Sequence, residues 1–350
     1  MTVLDLELRR ASGTLAEVSP LPARLWPDGS GRGVRLSFWS GGRLTSGAVL
    51  FPRTAPPAGG WPLLAWGHCM VGVGGPNAPS LRGLPRLERE HLAAWLRRGF
   101  AVVAPDYRGL DTHGVNPFPH GGALAGDLLD IARAVRELDA PVGTPVIAAG
   151  FSQGAGVALA AAARWRAHAP DLDYRGTAAL APLDHLAFFT EVTRHGDAPV
   201  EQLVPMMLAG LRAHDPTFRP LEFLTSTGVR ILERATTASM PQIRSALLRL
   251  RNTDLGTSGL TRRPDVRRLL RTAQAQVCRY DRPVLLCTTD RDVLAPPRST
   301  ARLAARLRRC GTDVGYRSFD GPDHLAVLPV AADHVARWGH ALVTAPASVH

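Results

Sequence analysis

The sequence predicts an α/β protein, a mostly parallel sheet flanked by helices and interrupted by a helical insertion. Three observations carry that expectation. Short apolar runs of strand length alternate with amphipathic segments of 12–16 residues, the pattern of a parallel sheet covered on both faces. A Gly-Phe-Ser-Gln-Gly pentapeptide (150–154) stands where an apolar run turns into an Ala-rich segment. From about 188 to 277 strand signals cease and Leu, Met and Arg take over at helical spacing. Pro205, Pro216, Pro220 and Pro241 interrupt that stretch.

The elements follow in order. Residues 34–51, VRLSFWSGGRLTSGAVLF, are two alternating runs about a Gly-Gly turn and read as a β-hairpin. WPLLAWGH (61–68) is a short strand running into a Gly-rich loop at 72–79. RLEREHLAAWLRRG (86–99) has helical spacing and a glycine stop. FAVVAPDYRG (100–109) is a buried strand, 123–138 an amphipathic helix, and TPVIAAG (144–150) another buried strand. A helix at 154–168 and a strand at 175–182 complete the first part. After the insertion come a strand (282–290), a helix (298–311), a strand (313–321) and a helix (327–343). The expected organisation is a core of 1–187 and 278–350 around a helical cap at 188–277, with no internal repeat.

At 350 residues the chain can bury a large core. Its net charge of +11 comes from 41 basic residues, all of them arginine. They are dispersed, with no basic tail and no aromatic-interleaved stripe, so a solvated basic surface is expected rather than a nucleic-acid partner. Cys69, Cys278, Cys287 and Cys310 show no CxxC spacing and no His partners at zinc-ligand intervals, so no metal is expected. The stretch MTVLDLELRRASGTLAEV carries early acids and no apolar stretch of the secretory type, and no run approaches the ~20 apolar residues of a membrane span. These features predict a cytoplasmic protein with free thiols.

Ser152 sits where a strand is expected to turn into a helix. That turn is tight, so glycines are needed where side chains would clash, and the serine oxygen is pushed above the sheet. The N–H of Gln153 then lies at a helix N-terminus, where partial positive charge suits an oxyanion. A phosphate-binding turn, the competing reading, would call for more glycines and a nearby Lys.

A serine hydroxyl needs a base, itself oriented by an acid, and behind such a turn the chain order is Ser, acid, His. TTDRDVLAPP follows a strand and offers Asp290 and Asp292. Asp292 has the loop composition of the acid, and Asp290 could instead bond within the loop. FDGPDHLAV follows the next strand and places His324 before the last helix, within reach of Ser152. His91, His168, His334 and His340 fall on helices, where solvated or capping roles are expected. His113 and His120 fall on a loop that could line the site. The second oxyanion donor is expected from a backbone N–H of Cys69 or Met70, in WGHCMVGVGG. Cys69 as a rival nucleophile lacks a neighbouring helix start, so a pocket-lining thiol is the simpler reading.

LLAWGHCMVGVGGPNAPS, GFAVVAPDYRGLDTHG, GFSQGAGVALAAA and YRGTAALAPLDHLA together resemble the secretory lipase family of the α/β-hydrolases, which includes fungal lipase-A-like enzymes and actinobacterial relatives. The likeness covers about 34–187 and 278–343 and is weak in the insertion. It implies ester or acylglycerol hydrolysis under a helical cap, with Ser152, Asp292 and His324 as the triad. The chain departs from the family at Cys69, where the usual sequence is His-Gly, and at Asn77, where a disulfide cysteine is frequent. The absence of that disulfide and of a secretion signal agrees with an intracellular enzyme.

The resulting expectation is a cofactor-free serine hydrolase acting through an acyl-enzyme on a small ester or acyl substrate. His68, Tyr107, Met206 and Met207 are candidate pocket residues. Met206 and Met207, with Leu208 and Leu211, either line the pocket or pack the cap onto the core. The same triad could serve an acyltransferase or cyclase, and a non-catalytic binder on this fold is a third reading.

Overall fold

The computed structural model describes residues 11–75 and 77–345. Most of the N-terminal stretch inspected for a signal, residues 1–10, lies outside them, as do 346–350 of the expected core. The strands are β1 (Leu15–Pro20), β2 (Ser30–Ser40), β3 (Arg43–Pro52), β4 (Trp61–Gly67), β5 (Ala101–Pro105), β6 (Val142–Phe151), β7 (Asp173–Leu180), β8 (Val284–Thr289) and β9 (Val314–Phe319). The helices of eight or more residues are α1 (Arg86–Leu96), α2 (Gly121–Ala134), α3 (Gln153–Ala162), α4 (His185–Val192), α5 (Leu203–His214), α6 (Ser226–Ala235), α7 (Met240–Leu247), α8 (Pro264–Thr272), α9 (Pro297–Arg309) and α10 (Val327–Thr344).

The nine strands form one sheet in the order β1-β2-β3-β5-β4-β6-β7-β8-β9. β1, β2, β3 and β5 pair antiparallel, and from β5 to β9 every pairing is parallel. Because strand side chains alternate, Leu63 and Ala65 of β4 join the apolar layer under α2 and α3, whereas Leu64 and Trp66 join the layer under α1 and α10. Both faces are covered, which is why the parallel strands read as continuous apolar runs. The hairpin turns at Gly41-Gly42, with φ of 56° and 73°, the backbone that a two-residue turn matching strand twist requires.

Two departures from the sequence reading have local causes. β1 is a mostly exposed edge strand, so LAEVSP carries no clean apolar alternation to detect. The helix expected over 154–168 stops at Ala162, and the chain turns at Arg164, with φ of −127°, before a short turn at Trp165–His168. That break lets Trp165 bury its ring in a stack on Tyr174, centroids 5.3 Å apart.

Between β7 and β8 lie α4 to α8, packed around their own apolar cluster of Phe188, Phe189, Met206, Met207, Leu232 and Leu269, among others. Met70, Val73 and Phe118 from the core loops belong to the same cluster. α5 lies against the chain at Phe118 so closely that a Cβ on Gly210 would sit 1.9 Å from the Phe118 carbonyl oxygen.

An equally tight backbone approach lies at the start of α3. A Cβ on Gly154 would stand 1.9 Å from the Gly67 carbonyl oxygen, whereas a Cβ on Gly156 would meet nothing within 4 Å. Gly154→Ala is therefore expected to destabilise the fold by about 1–3 kcal/mol through overpacking. Gly156→Ala is expected to stabilise it by about 0.5–1 kcal/mol through helix propensity. Urea unfolding of the two variants checks the opposite signs.

Candidate active site

β6 ends at Phe151 and α3 begins at Gln153, and the residue between them, Ser152, has φ 56° and ψ −113°. Such a backbone costs a non-glycine residue about 1–3 kcal/mol and persists only where its surroundings hold it. Here the Ser152 N–H donates to the Leu180 carbonyl at 2.9 Å, and the Ser152 carbonyl accepts from Ala155 N–H at 3.1 Å. The side chain is thereby lifted off the sheet.

His324 Nε2 lies 2.9 Å from Ser152 Oγ, and His324 Nδ1 lies 2.7 Å from Asp292 Oδ2. A carboxylate only accepts, so Nδ1 carries the hydrogen and Nε2 is left to accept from the hydroxyl. Asp292 is buried, and its Oδ1 accepts the N–H groups of Leu294 at 2.9 Å and Ala295 at 2.8 Å. On the His324 loop, Asp323 Oδ1 accepts the N–H groups of Leu325 and Ala326, and Thr289 Oγ1 donates to the Asp323 carbonyl at 2.7 Å. The Phe151 ring packs on the imidazole, centroids 4.8 Å apart. Asp290, the alternative acid, instead accepts the Gly321 N–H at 3.0 Å and holds the loop.

Gln153 N–H opens α3, where no intrahelical acceptor exists for it. The Gln153 side chain donates to Asn116 Oδ1 at 3.3 Å. Facing it, the loop after β4 differs from expectation. Cys69 N–H already donates to Glu88 Oε1 at 3.2 Å, so the Cys69 amide is not free for an oxyanion, and of the two candidates Met70 remains. The Cys69 thiol donates to the Met70 carbonyl, and burial, reinforced by Glu88, pushes it well above the ordinary thiol range, which disfavours a thiolate nucleophile.

His68 and Tyr107 are fully buried and their rings pack against one another at a tilt of 31°, centroids 4.3 Å apart. His68 Nδ1 faces the Cys69 carbonyl at 2.7 Å, and burial lowers its pKa. Both rings therefore support the loop from below instead of facing a substrate cavity. Met206, Met207, Leu208 and Leu211 are likewise buried and pack the insertion. His91, expected on a solvated or capping site, is buried under α10. Its Nδ1 donates to the Leu328 carbonyl at 2.9 Å, and burial lowers its pKa to about 4.

The burial of Glu88 and the hydrogen bonding of Asn77, already singled out as a departure from the family, are not legible in the sequence. Glu88 is buried beneath the loop, where Oε2 accepts Trp66 Nε1–H at 2.7 Å while Oε1 takes Cys69 N–H. Its signal was positional, since Glu88 falls on the same stripe of α1 as His91, Leu92 and Trp95. Asn77 Nδ2 donates to the carbonyls of Gly74, Thr237 and Ala238, joining the loop to the insertion where the family often carries a cysteine. A bridge between Gly72 and Ser239 and the bond from Met240 N–H to the Val71 carbonyl continue that seam.

A parallel sheet with helices on both faces and a serine on the strand-to-helix turn is the α/β-hydrolase fold. Residues 84–342 match the secretory lipase family, and the chain belongs to that family. It is thus a hydrolase of the lipase and esterase type. Solved structures with the same fold include the rice cell wall degrading esterase LipA from Xanthomonas oryzae (TM-score 0.74, 17% identity, 93% of this chain and 97% of that one). Lipase A from Candida antarctica is similar over 90% of this chain and 78% of that one, with TM-score 0.70 and 17% identity. A putative hydrolase from Legionella pneumophila is similar over 91% and 90%, with TM-score 0.72 and 16% identity. A search of curated proteins found no match.

The family overturns the expectation of a cytoplasmic protein. A secretory family points to an exported one, and the expected reducing compartment falls with it. Among the described residues, no helix is long and apolar enough to cross a membrane. The matched family and these neighbours give no support to acyl transfer or cyclisation.

Burial raises the Glu88 carboxyl above its ordinary range even though it accepts two N–H groups. Folding then takes up a proton, so this group's contribution is full at low pH and is lost as pH rises from about 4.3, the ordinary Glu value. The stability of the wild type relative to Glu88→Gln, followed by urea unfolding across a pH series, is expected to fall as pH rises above the ordinary Glu value and to level off once Glu88 is ionised in the folded protein.

Proposed function

We propose that the chain is a serine hydrolase that cleaves a carboxylic ester through an acyl-enzyme. The observation that carries this reading is the unbroken hydrogen-bonded line from Ser152 Oγ through His324 to Asp292, at 2.9 and 2.7 Å. His324 Nε2 accepts the hydroxyl proton as Ser152 Oγ attacks the ester carbonyl, and Asp292 stabilises the imidazolium that forms. The Gln153 and Met70 N–H groups hold the oxyanion, with the dipole of α3 favouring negative charge at its N-terminus.

His324 then returns the proton to the leaving alcohol, and the ester is exchanged for an acyl-serine. Water, deprotonated by the same imidazole, attacks that acyl group and releases the acid. Val293, 84% exposed, and Leu325, 49% exposed, follow Asp292 and His324 in the chain and are apolar side chains open to a substrate.

A fluorophosphonate probe is expected to label the wild type and leave Ser152→Ala unlabelled; equal labelling of the two would sink the assignment. With p-nitrophenyl esters, His324→Ala and Asp292→Asn should each lower kcat by about a thousand- to ten-thousandfold. Circular dichroism of each variant separates this loss from unfolding.

A further inference from the structure

We propose that a cleft beside α3 binds the phosphate group of a ligand, at a place distinct from Ser152. The cleft holds about 940 Å³, and none of Ser152, Asp292 or His324 lines it. Its floor is Gly156 and Ala160 of α3, so it begins one helical turn, about 6 Å of rise, beyond the serine. Its walls come from α4, α8 and α9.

Four exposed arginines line it: Arg164 after α3, whose guanidinium donates to the Gly122 carbonyl, Arg271 in the last turn of α8, and Arg302 and Arg306 one turn apart on α9. Among the described residues, Arg271, Arg302 and Arg306 meet no carboxylate. The acid lining the cleft, Asp184, is already occupied: its Oδ1 accepts Ala187 N–H at 3.0 Å and Gln274 Nε2–H at 2.8 Å. Like charges four residues apart on a helix repel, and among the described residues neither Arg302 nor Arg306 forms an ion pair that would offset this.

Two further residues of the wall, His185 and Thr300, are polar and more than nine-tenths buried. His185 Nδ1 and Thr300 Oγ1 are closed off from solvent, so the surface that a ligand meets here is that of the arginines. Gly156 adds an independent sign. It is a glycine inside a helix, its missing side chain leaves open space, and that space belongs to the cleft.

The chemistry selects the ligand. Guanidinium forks suit planar or tetrahedral oxyanions, and the donors of four arginines exceed what the two oxygens of a carboxylate accept. A phosphate presents three or more acceptor oxygens. A lone phosphate would fill little of 940 Å³, so the group is carried on a larger body, either a soluble polyphosphate or a lipid headgroup.

Isothermal titration with inorganic tripolyphosphate, and co-sedimentation with phosphatidylglycerol against phosphatidylcholine vesicles, test the site by binding, independently of hydrolysis. The wild type is expected to bind tripolyphosphate, phosphatidylglycerol or both. The double variant Arg302→Ala/Arg306→Ala should weaken that binding at least about tenfold, as loss of charge-assisted hydrogen bonds would. Gly156→Leu should do the same by filling the space. Arg309→Ala removes a charge from the same helix outside the cleft and should change binding less than about twofold.

Tripolyphosphate binding alone identifies a soluble source and vesicle binding a lipid one, and either supports the site. Failure of the wild type to bind both, or an Arg309→Ala loss equal to that of the double variant, overturns it. Hydrolysis of p-nitrophenyl esters by the double variant, retained at the wild-type rate, shows that the fold is intact.

Discussion

The arrangement depends on one steric constraint, the near-contact of three backbones at Gly67, Gly150 and Gly154. Gly67 and Gly150 are register partners on adjacent parallel strands, and the first turn of α3 descends on both. Only without side chains can the helix start there. Because it does, Ser152 is forced into a left-handed backbone above the sheet edge, and the β4 loop emerges beside it. The parallel pairing of β6 to β9 brings the loops of Asp292 and His324 to that same edge. The three side chains meet because one glycine contact and one strand direction leave them nowhere else to go.

Around this contact the supporting layer is polar and buried, and nearly every group in it fixes a loop. Glu88 holds the Cys69 amide and the Trp66 indole. Asp106 accepts the Ser80 N–H at 2.7 Å and the Ser46 hydroxyl at 2.7 Å, tying the end of β5 to two neighbouring segments. Asp127, with no exposed side-chain surface, receives the Arg108 guanidinium and the Arg108 N–H. Burial makes such groups costly when unpaired, so their partners are specified tightly, and the loops inherit that specification.

What was legible in the sequence was whatever a single element expresses by itself. β2 to β9 and the flanking helices announced themselves by period and length. That Ser152, Asp292 and His324 come together was legible because each follows a strand of the parallel sheet. What stayed hidden depends on approach between distant segments. No pattern near Cys69 tells that its amide turns to Glu88, nineteen positions along the chain, or that Trp165 leaves its helix to stack on Tyr174. Met206 and Met207 have the composition of a pocket wall and of a packing core alike, and only the position of the Phe118 segment decides for the core. The compartment is not legible in these features, because neither the composition of the N-terminal stretch nor the spacing of cysteines reports location by itself, whereas the family does.

The seam between the loop at 70–77 and the segment at 236–240 gives the insertion a further property. A flap hinged only at its ends could swing while the rest of the site stood still. Here Asn77, the Gly72–Ser239 bridge and the Met240 amide fasten that flap to the same loop that carries the Met70 N–H. The insertion and this wall of the candidate site are thereby one mechanical unit, held by hydrogen bonds where a covalent bridge is frequent in the family.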